Sequence, residues 1–170
     1  MPQVALTCHP SAPSAAVRSI AVDVSGALEL RYVLEGDLSR IRISPPGAAR
    51  RVDELWKRTC FEAFVAVRGG QGYREFNFTP SREWAGYDFS SYRAGMTAIN
   101  KECEPQISIH RREQRFEIDA KLTAAPPLRL ALAAVIEEED GRLSYWALAH
   151  PAANPDFHAR GSFMFALPQP

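Results

Sequence analysis

Glu62 sits inside Thr59-Cys60-Phe61-Glu62-Ala63-Phe64-Val65, where most of its neighbours are apolar. A carboxylate in such surroundings is unfavourable unless something pairs with it. Arg58, Arg74 and Arg93 are the candidate partners, and the result would be either a structural ion pair or part of a ligand site. A second run, Tyr73-Arg74-Glu75-Phe76-Asn77-Phe78-Thr79, puts Tyr73, Glu75, Asn77 and Thr79 at alternate positions. On a strand they would form a row of donors and acceptors suited to a hydroxyl-rich ligand, or else a solvated strand face. The three tryptophans, Trp56, Trp84 and Trp146, offer flat rings that can stack on the C–H faces of sugars with little entropy to lose. Trp146, inside a strand pattern, would equally well be core.

His150, Asp156 and His158 flank a proline-containing loop and are of types that bind transition metals. Their spacing matches no zinc signature, so no metal site is assigned. An Asp156–His158 dyad has no nucleophile motif such as G-x-S-x-G beside it, and no catalytic set is assigned. Walker, G-x-G-x-x-G and H-E-x-x-H motifs are absent. Gly69-Gly70-Gln71-Gly72 joins two strand patterns, which makes it a hairpin loop rather than a phosphate cradle. The candidate ligand-binding residues are Trp56, Arg58, Glu62, Asn77, Trp84, Trp146, His150 and His158.

The elements that must position these residues are strands. Leu28, Leu30, Tyr32 and Leu34 alternate with Glu29, Arg31 and Val33; Phe116, Ile118, Ala120 and Leu122 alternate with Glu117, Asp119 and Lys121. Phe163, Phe165 and Leu167 repeat the pattern near the end. A period of two with one apolar face marks a sheet with one side on a core. Further strands are expected at 4–8, 17–24, 59–67, 72–79, 106–111, 128–138 and 143–150, about ten in all, with turn signals between them. Pro126-Pro127 punctuates two of them, and Glu138-Glu139-Asp140-Gly141-Arg142 reads as a hairpin tip. The aromatic segment 82–96 has no regular period and reads as a structured loop. With helical pattern scarce, the expected fold class is all-β, an antiparallel β-sandwich with little helix.

Composition narrows the function classes. The 170 residues amount to one domain, 46% hydrophobic and 24% charged, with 20 Lys+Arg balancing 20 Asp+Glu. These values exclude a disordered chain, and zero net charge argues against a duplex nucleic-acid binder. No apolar run reaches the length of a membrane span, and residues 1–14 lack a secretory pattern. Cys8, Cys60 and Cys103 form no C-x-x-C pair and read as reduced thiols, which suits a cytoplasmic location.

Three blocks taken together resemble the DOMON-like domains, relatives of the family 9 carbohydrate-binding modules. They are Leu55-Trp56-x-x-Thr59-Cys60-Phe61-Glu62-Ala63-Phe64, Tyr73-x-Glu75-Phe76-Asn77-Phe78-x-Pro80-Ser81-x-x-Trp84, and Tyr145-Trp146-Ala147-Leu148-x-His150-Pro151. Pro155-Asp156-Phe157-His158 and Phe163 also fit, and the resemblance spans about residues 5 to 168. It implies a jelly-roll-like sandwich with a ligand site on one sheet, and binding rather than catalysis. Trp56 and Glu62 match the part of the pattern where sugar-binding members place a stacking Trp and an acidic residue. The expected ligand is a saccharide or sugar-containing metabolite, with no cofactor. Haem is the alternative ligand the resemblance admits; it needs an axial His or Met, for which Met96 and the histidines are the choices. Two further readings remain: a structural or protein-interaction domain whose aromatics are core, and an enzyme using Asp156, His158, His150 and Glu62.

Overall fold

The computed structural model describes residues 2–67, 69–124 and 128–167. The expected Pro126-Pro127 break and Pro168, at the end of the resemblance, lie outside them. Thirteen strands follow in chain order: β1 (Gln3–Cys8), β2 (Val17–Val24), β3 (Glu29–Gly36), β4 (Arg50–Arg51), β5 (Cys60–Val67), β6 (Tyr73–Phe78) and β7 (Glu83–Phe89), then β8 (Thr97–Ala98), β9 (Gln106–Arg111), β10 (Arg115–Lys121), β11 (Leu128–Glu137), β12 (Leu143–Ala147) and β13 (Phe165–Leu167). Among the described residues the helical elements are four single 3-10 turns. The fold is all-β, as the alternating patterns require. Its connectivity is that of one curled mixed sheet, a half-barrel, with the continuous order β4-β7-β6-β5-β11-β12-β1-β2-β3-β10-β9. Neighbours in that order are antiparallel except β4 and β7. Strand β1 joins the two halves, pairing with β2 through Gln3–Leu6 and with β12 through Thr7 and Cys8.

The curl closes the inner faces of the two halves on each other. Phe61 and Ala63 of β5, Phe76 and Phe78 of β6, and Leu130 and Leu132 of β11 pack with Val22, Leu30, Tyr32, Phe116 and Ile118 from the other half. The Tyr32 ring meets Phe61 and Phe78 edge-on at 5.3 and 5.6 Å between centroids. Burying each such large side chain is worth roughly 1.5–3 kcal/mol, so this layer carries the stability. Because side chains alternate, the intervening residues of the same strands point outward. There Cys60, Phe64, Tyr73, Ala85, Tyr87, Phe89, Ala131, Ala133 and Ala147 form a second buried layer, covered by Leu55, Phe157 and Phe163.

All ten expected segments contain a strand. The tip at Asp140-Gly141 is a hairpin, with Gly141 at φ +85° as such a turn requires. Segment 82–96 is the correction: it opens with β7, a strand buried on both faces. Trp84 packs into the inner layer while Ala85, Tyr87 and Phe89 pack into the outer one. Such a strand loses the polar alternation by which a half-buried strand is recognised. Gly86 makes room there for Ile99, whose side chain would have to shift if position 86 carried a Cβ. Strand β12 stops at Ala147, so Leu148 to His150 leave the sheet earlier than expected.

Candidate ligand-binding cleft

On the outer face, β5 presents Cys60, Glu62 and Phe64, and β6 presents Tyr73, Glu75 and Asn77. The register sets Glu62 opposite Asn77 and Phe64 opposite Glu75, which makes the two glutamates diagonal neighbours within reach of each other. On its other side Glu62 faces Ala133 of β11, a small side chain that leaves room above the sheet. The result is a cleft of about 500 Å³ with Glu62 and Glu75 on its floor. Trp56, Tyr87, Phe89, Tyr145 and Phe157 supply aromatic walls, and Arg93, Met96 and His158 complete the lining.

Trp56 reaches the cleft on a 3-10 turn, Leu55–Lys57. Leu55 is the anchor of that turn, fully buried, and leaves Trp56 outermost at 38% exposure. The indole meets Tyr87 edge-on at 6.4 Å, and the Tyr87 hydroxyl donates to Asp53 Oδ1 at 2.6 Å. The segment after β7 and the C-terminal segment are clasped beside the cleft. Asp156 accepts from the Tyr92 hydroxyl at 2.6 Å, from Arg93 Nη2 at 3.0 Å and from the His158 backbone N–H at 3.1 Å. Burial opposes ionisation of Asp156, but these bonds outweigh it and hold its carboxyl below the usual value.

The floor is a hydrogen-bonded array with a gap in it. The Arg93 N–H donates to Tyr73 Oη at 3.1 Å, and Tyr73 Oη lies 2.8 Å from His158 Nδ1. Nε2 faces Glu75 Oε2 at 3.7 Å, while Asn77 Nδ2 donates to Glu75 Oε1 at 2.8 Å. Burial, then the charge of Arg93, lowers His158 to about 4, so its ring is neutral at neutral pH. Burial raises Glu75 to about 7 against the opposing effects of Asn77 and Arg93. Glu62, more deeply buried and next to Glu75, is pushed well above the carboxylate range. Glu62 Oε1 and Asn77 Oδ1 are buried and receive no donor from any described residue.

The structure thus brings together three of the expected residues, Trp56, Glu62 and His158. Asn77 lies one layer behind, bonded to Glu75. The expected tryptophan pair does not form. Trp84 and Trp146 are 1% and 6% exposed and belong to the inner core, because the parity of their strands turns them away from the cleft. Trp146 donates to Ser144 Oγ at 3.0 Å, and its neighbour Tyr145 faces the cleft instead. Arg58 is tied to Glu83 at 3.0 Å rather than to Glu62. His150 is held elsewhere, its Nε2 bonded to the Thr7 carbonyl at 2.7 Å and its ring on His9. That separation from Asp156 and His158 removes the metal and enzyme groupings that needed all three. Among the described residues no cluster of three His, Cys, Asp or Glu has metal-binding geometry.

Tyr87, Phe89, Tyr145 and Phe157 were not among the expected ligand residues. Strand parity alone would have found Tyr145, the outward neighbour of an inward Trp. Tyr87 and Phe89 were hidden with the strand that carries them. Cys8, Cys60 and Cys103 are free thiols. Among the described residues no helix is long and apolar enough to cross a membrane.

No protein-family model matches the chain, and no curated protein sequence matches it. Among solved structures, the crystal structure of a provisionally named carbohydrate-binding protein from Bacteroides uniformis is similar, with a TM-score of 0.59. That match covers 96% of this chain and 84% of the other at 12% sequence identity, a likeness of fold: the chain shares its all-β architecture with that protein.

Proposed function

We propose that the protein is a non-catalytic, cytoplasmic binding module of one domain, whose outer-face cleft takes a saccharide or sugar-containing metabolite. The observation that carries this reading is the convergence of Trp56, Glu62 and His158 on one aromatic-walled cleft of about 500 Å³. A cleft with apolar walls and a few fixed polar groups suits a compact ring with hydroxyls at its edge. Trp56 provides the stacking face at the mouth, and Glu62, Glu75 and Arg93 the hydrogen-bonding groups below it. The provisional name of the Bacteroides uniformis protein points the same way, as does the resemblance to DOMON-like domains and their jelly-roll sandwich. A haem fits less well. Met96 and His158 both line the cleft, but His158 Nδ1 is engaged by Tyr73 and Nε2 faces Glu75 Oε2 at 3.7 Å, so iron at Nε2 would compete with that carboxyl.

The test is titration with mono- and oligosaccharides, watching tryptophan emission. Trp84 and Trp146 are sealed in the core, so a response reports Trp56. A saturable shift at millimolar sugar or below, lost in Trp56→Phe, supports the reading. No response to any sugar defeats it.

A further inference from the structure

The cleft floor carries two carboxyl groups, and the arginine that lines the cleft is engaged by Asp156. Glu62 is 3% exposed, lines the cleft, and has no Lys or Arg within ion-pair distance among the described residues. The three arginines that the sequence offered as partners are already used. Arg58 pairs with Glu83, Arg74 with Asp88, and Arg93 with Asp156 at 3.0, 2.7 and 3.0 Å. Among the described residues Glu75 is met at close range by the amide of Asn77 and the neutral ring of His158, while the charge of Arg93 acts on it from farther off. The hydrogen-bond inventory is lopsided in the same sense. Glu62 Oε1 and Asn77 Oδ1, cross-strand partners, are both buried acceptors with no donor. Unmet acceptors at such depth are rare and call for a partner.

A primary ammonium group answers both deficits at once, because it carries one positive charge, three donors and no acceptor. A hydroxyl brings one donor and two lone pairs of its own, and no charge. Trp56, Tyr87, Phe89, Tyr145 and Phe157 around the carboxylates also favour a cation, since the faces of aromatic rings attract positive charge most strongly where water is excluded. We infer that the cleft selects a ligand bearing a protonated amine, seated on Glu62: within the saccharide class, an amino sugar with a free amine. This rests on the saccharide reading for the rest of the ligand. The rival account has Glu62 permanently protonated and bonded to Asn77, with no preference for a cation.

Calorimetric titration at about pH 7 with glucosamine, galactosamine, their parent hexoses, N-acetylglucosamine and 2-aminoethanol separates these. The amino sugars are expected to bind about tenfold or more tightly than the neutral sugars, the scale of a desolvated charge-assisted contact. In Glu62→Gln, checked for a native unfolding transition, that preference is expected to vanish. If Glu62→Gln fails to fold, Glu62→Met provides the same test without the charge. Equal binding of glucose and glucosamine overturns the amine and leaves the saccharide reading standing. Binding of 2-aminoethanol without any sugar supports the amine and overturns the saccharide. A preference that survives both variants overturns the assignment to Glu62, and silence from every compound overturns both readings.

Discussion

The two faces of β5 and β6 bury their side chains to the same depth and to opposite effect. Inward, Phe61, Ala63, Phe76 and Phe78 pack in a layer made almost wholly of aliphatic and aromatic side chains. Outward, one residue along each strand, Glu62, Glu75 and Asn77 are equally inaccessible but hold two carboxyl groups side by side and two acceptors without donors. An apolar layer is satisfied by packing alone. A polar layer is satisfied only when each group has its partner, and a half-met array is worse than none. That this one persists indicates that the inner face supplies enough stability to carry it, as local rules are usually broken at functional sites.

The contrast can be broken most sharply at the tryptophans. Trp84→Ala is expected to cost about 3–5 kcal/mol in urea unfolding, the range for a large core aromatic. A loss under about 1 kcal/mol would mean that the inner layer is not the load it is taken for here. The outer carboxylates come next and with the opposite sign. Glu62→Gln supplies donors facing Asn77 Oδ1 and removes a buried charge, so it is expected to stabilise the chain by about 1–3 kcal/mol at about pH 8.

The pH dependence sharpens this further. Glu75, at about 7 instead of 4.5, holds its proton more tightly when folded, so its contribution is complete below pH 4.5 and is lost as pH rises through about 7. His158, lowered from 6.5 to about 4, acts in reverse; its contribution is complete above pH 6.5 and is lost as pH falls through about 4. The two oppose each other between 4.5 and 6.5. Above 6.5 the loss from Glu75, and at higher pH that from Glu62, is unopposed by His158, so stability is expected to fall there, and Glu75→Gln to flatten the part of the decline near pH 7. An unchanged slope in that variant would remove Glu75 as its source. The smallest expected effect is on Trp56→Ala, within about 0.5 kcal/mol in stability for a half-exposed surface residue, while its ligand response disappears. A large destabilisation would move Trp56 into the structural class with Trp84.

Alternation made much of this visible in the sequence. Every half-buried strand could be found from its period, and Glu62 could be set on the opposite face of its strand from Phe61 and Ala63. The row Tyr73, Glu75, Asn77 was legible for the same reason. Parity could not say which of the two faces of a strand with apolar residues on both would be the core, so Trp84 and Trp146 looked as available as Trp56. Nor could it reveal β7, whose two faces are both buried. His150 and His158 were equivalent by type. Only the path of the chain after β12 separates them, carrying one to Thr7 and the other to Tyr73.

One contact links the two faces directly. The Tyr32 hydroxyl, rising from β3 in the far half, donates to the Glu62 backbone carbonyl at 2.7 Å. The residue on the cleft floor is therefore tethered from behind as well as by its strand neighbours. Any displacement of Glu62 on contact with a ligand must either lengthen that tether or draw Tyr32 and β3 with it. Occupancy of the cleft would then register as slowed amide exchange in β3, on a strand that no ligand touches.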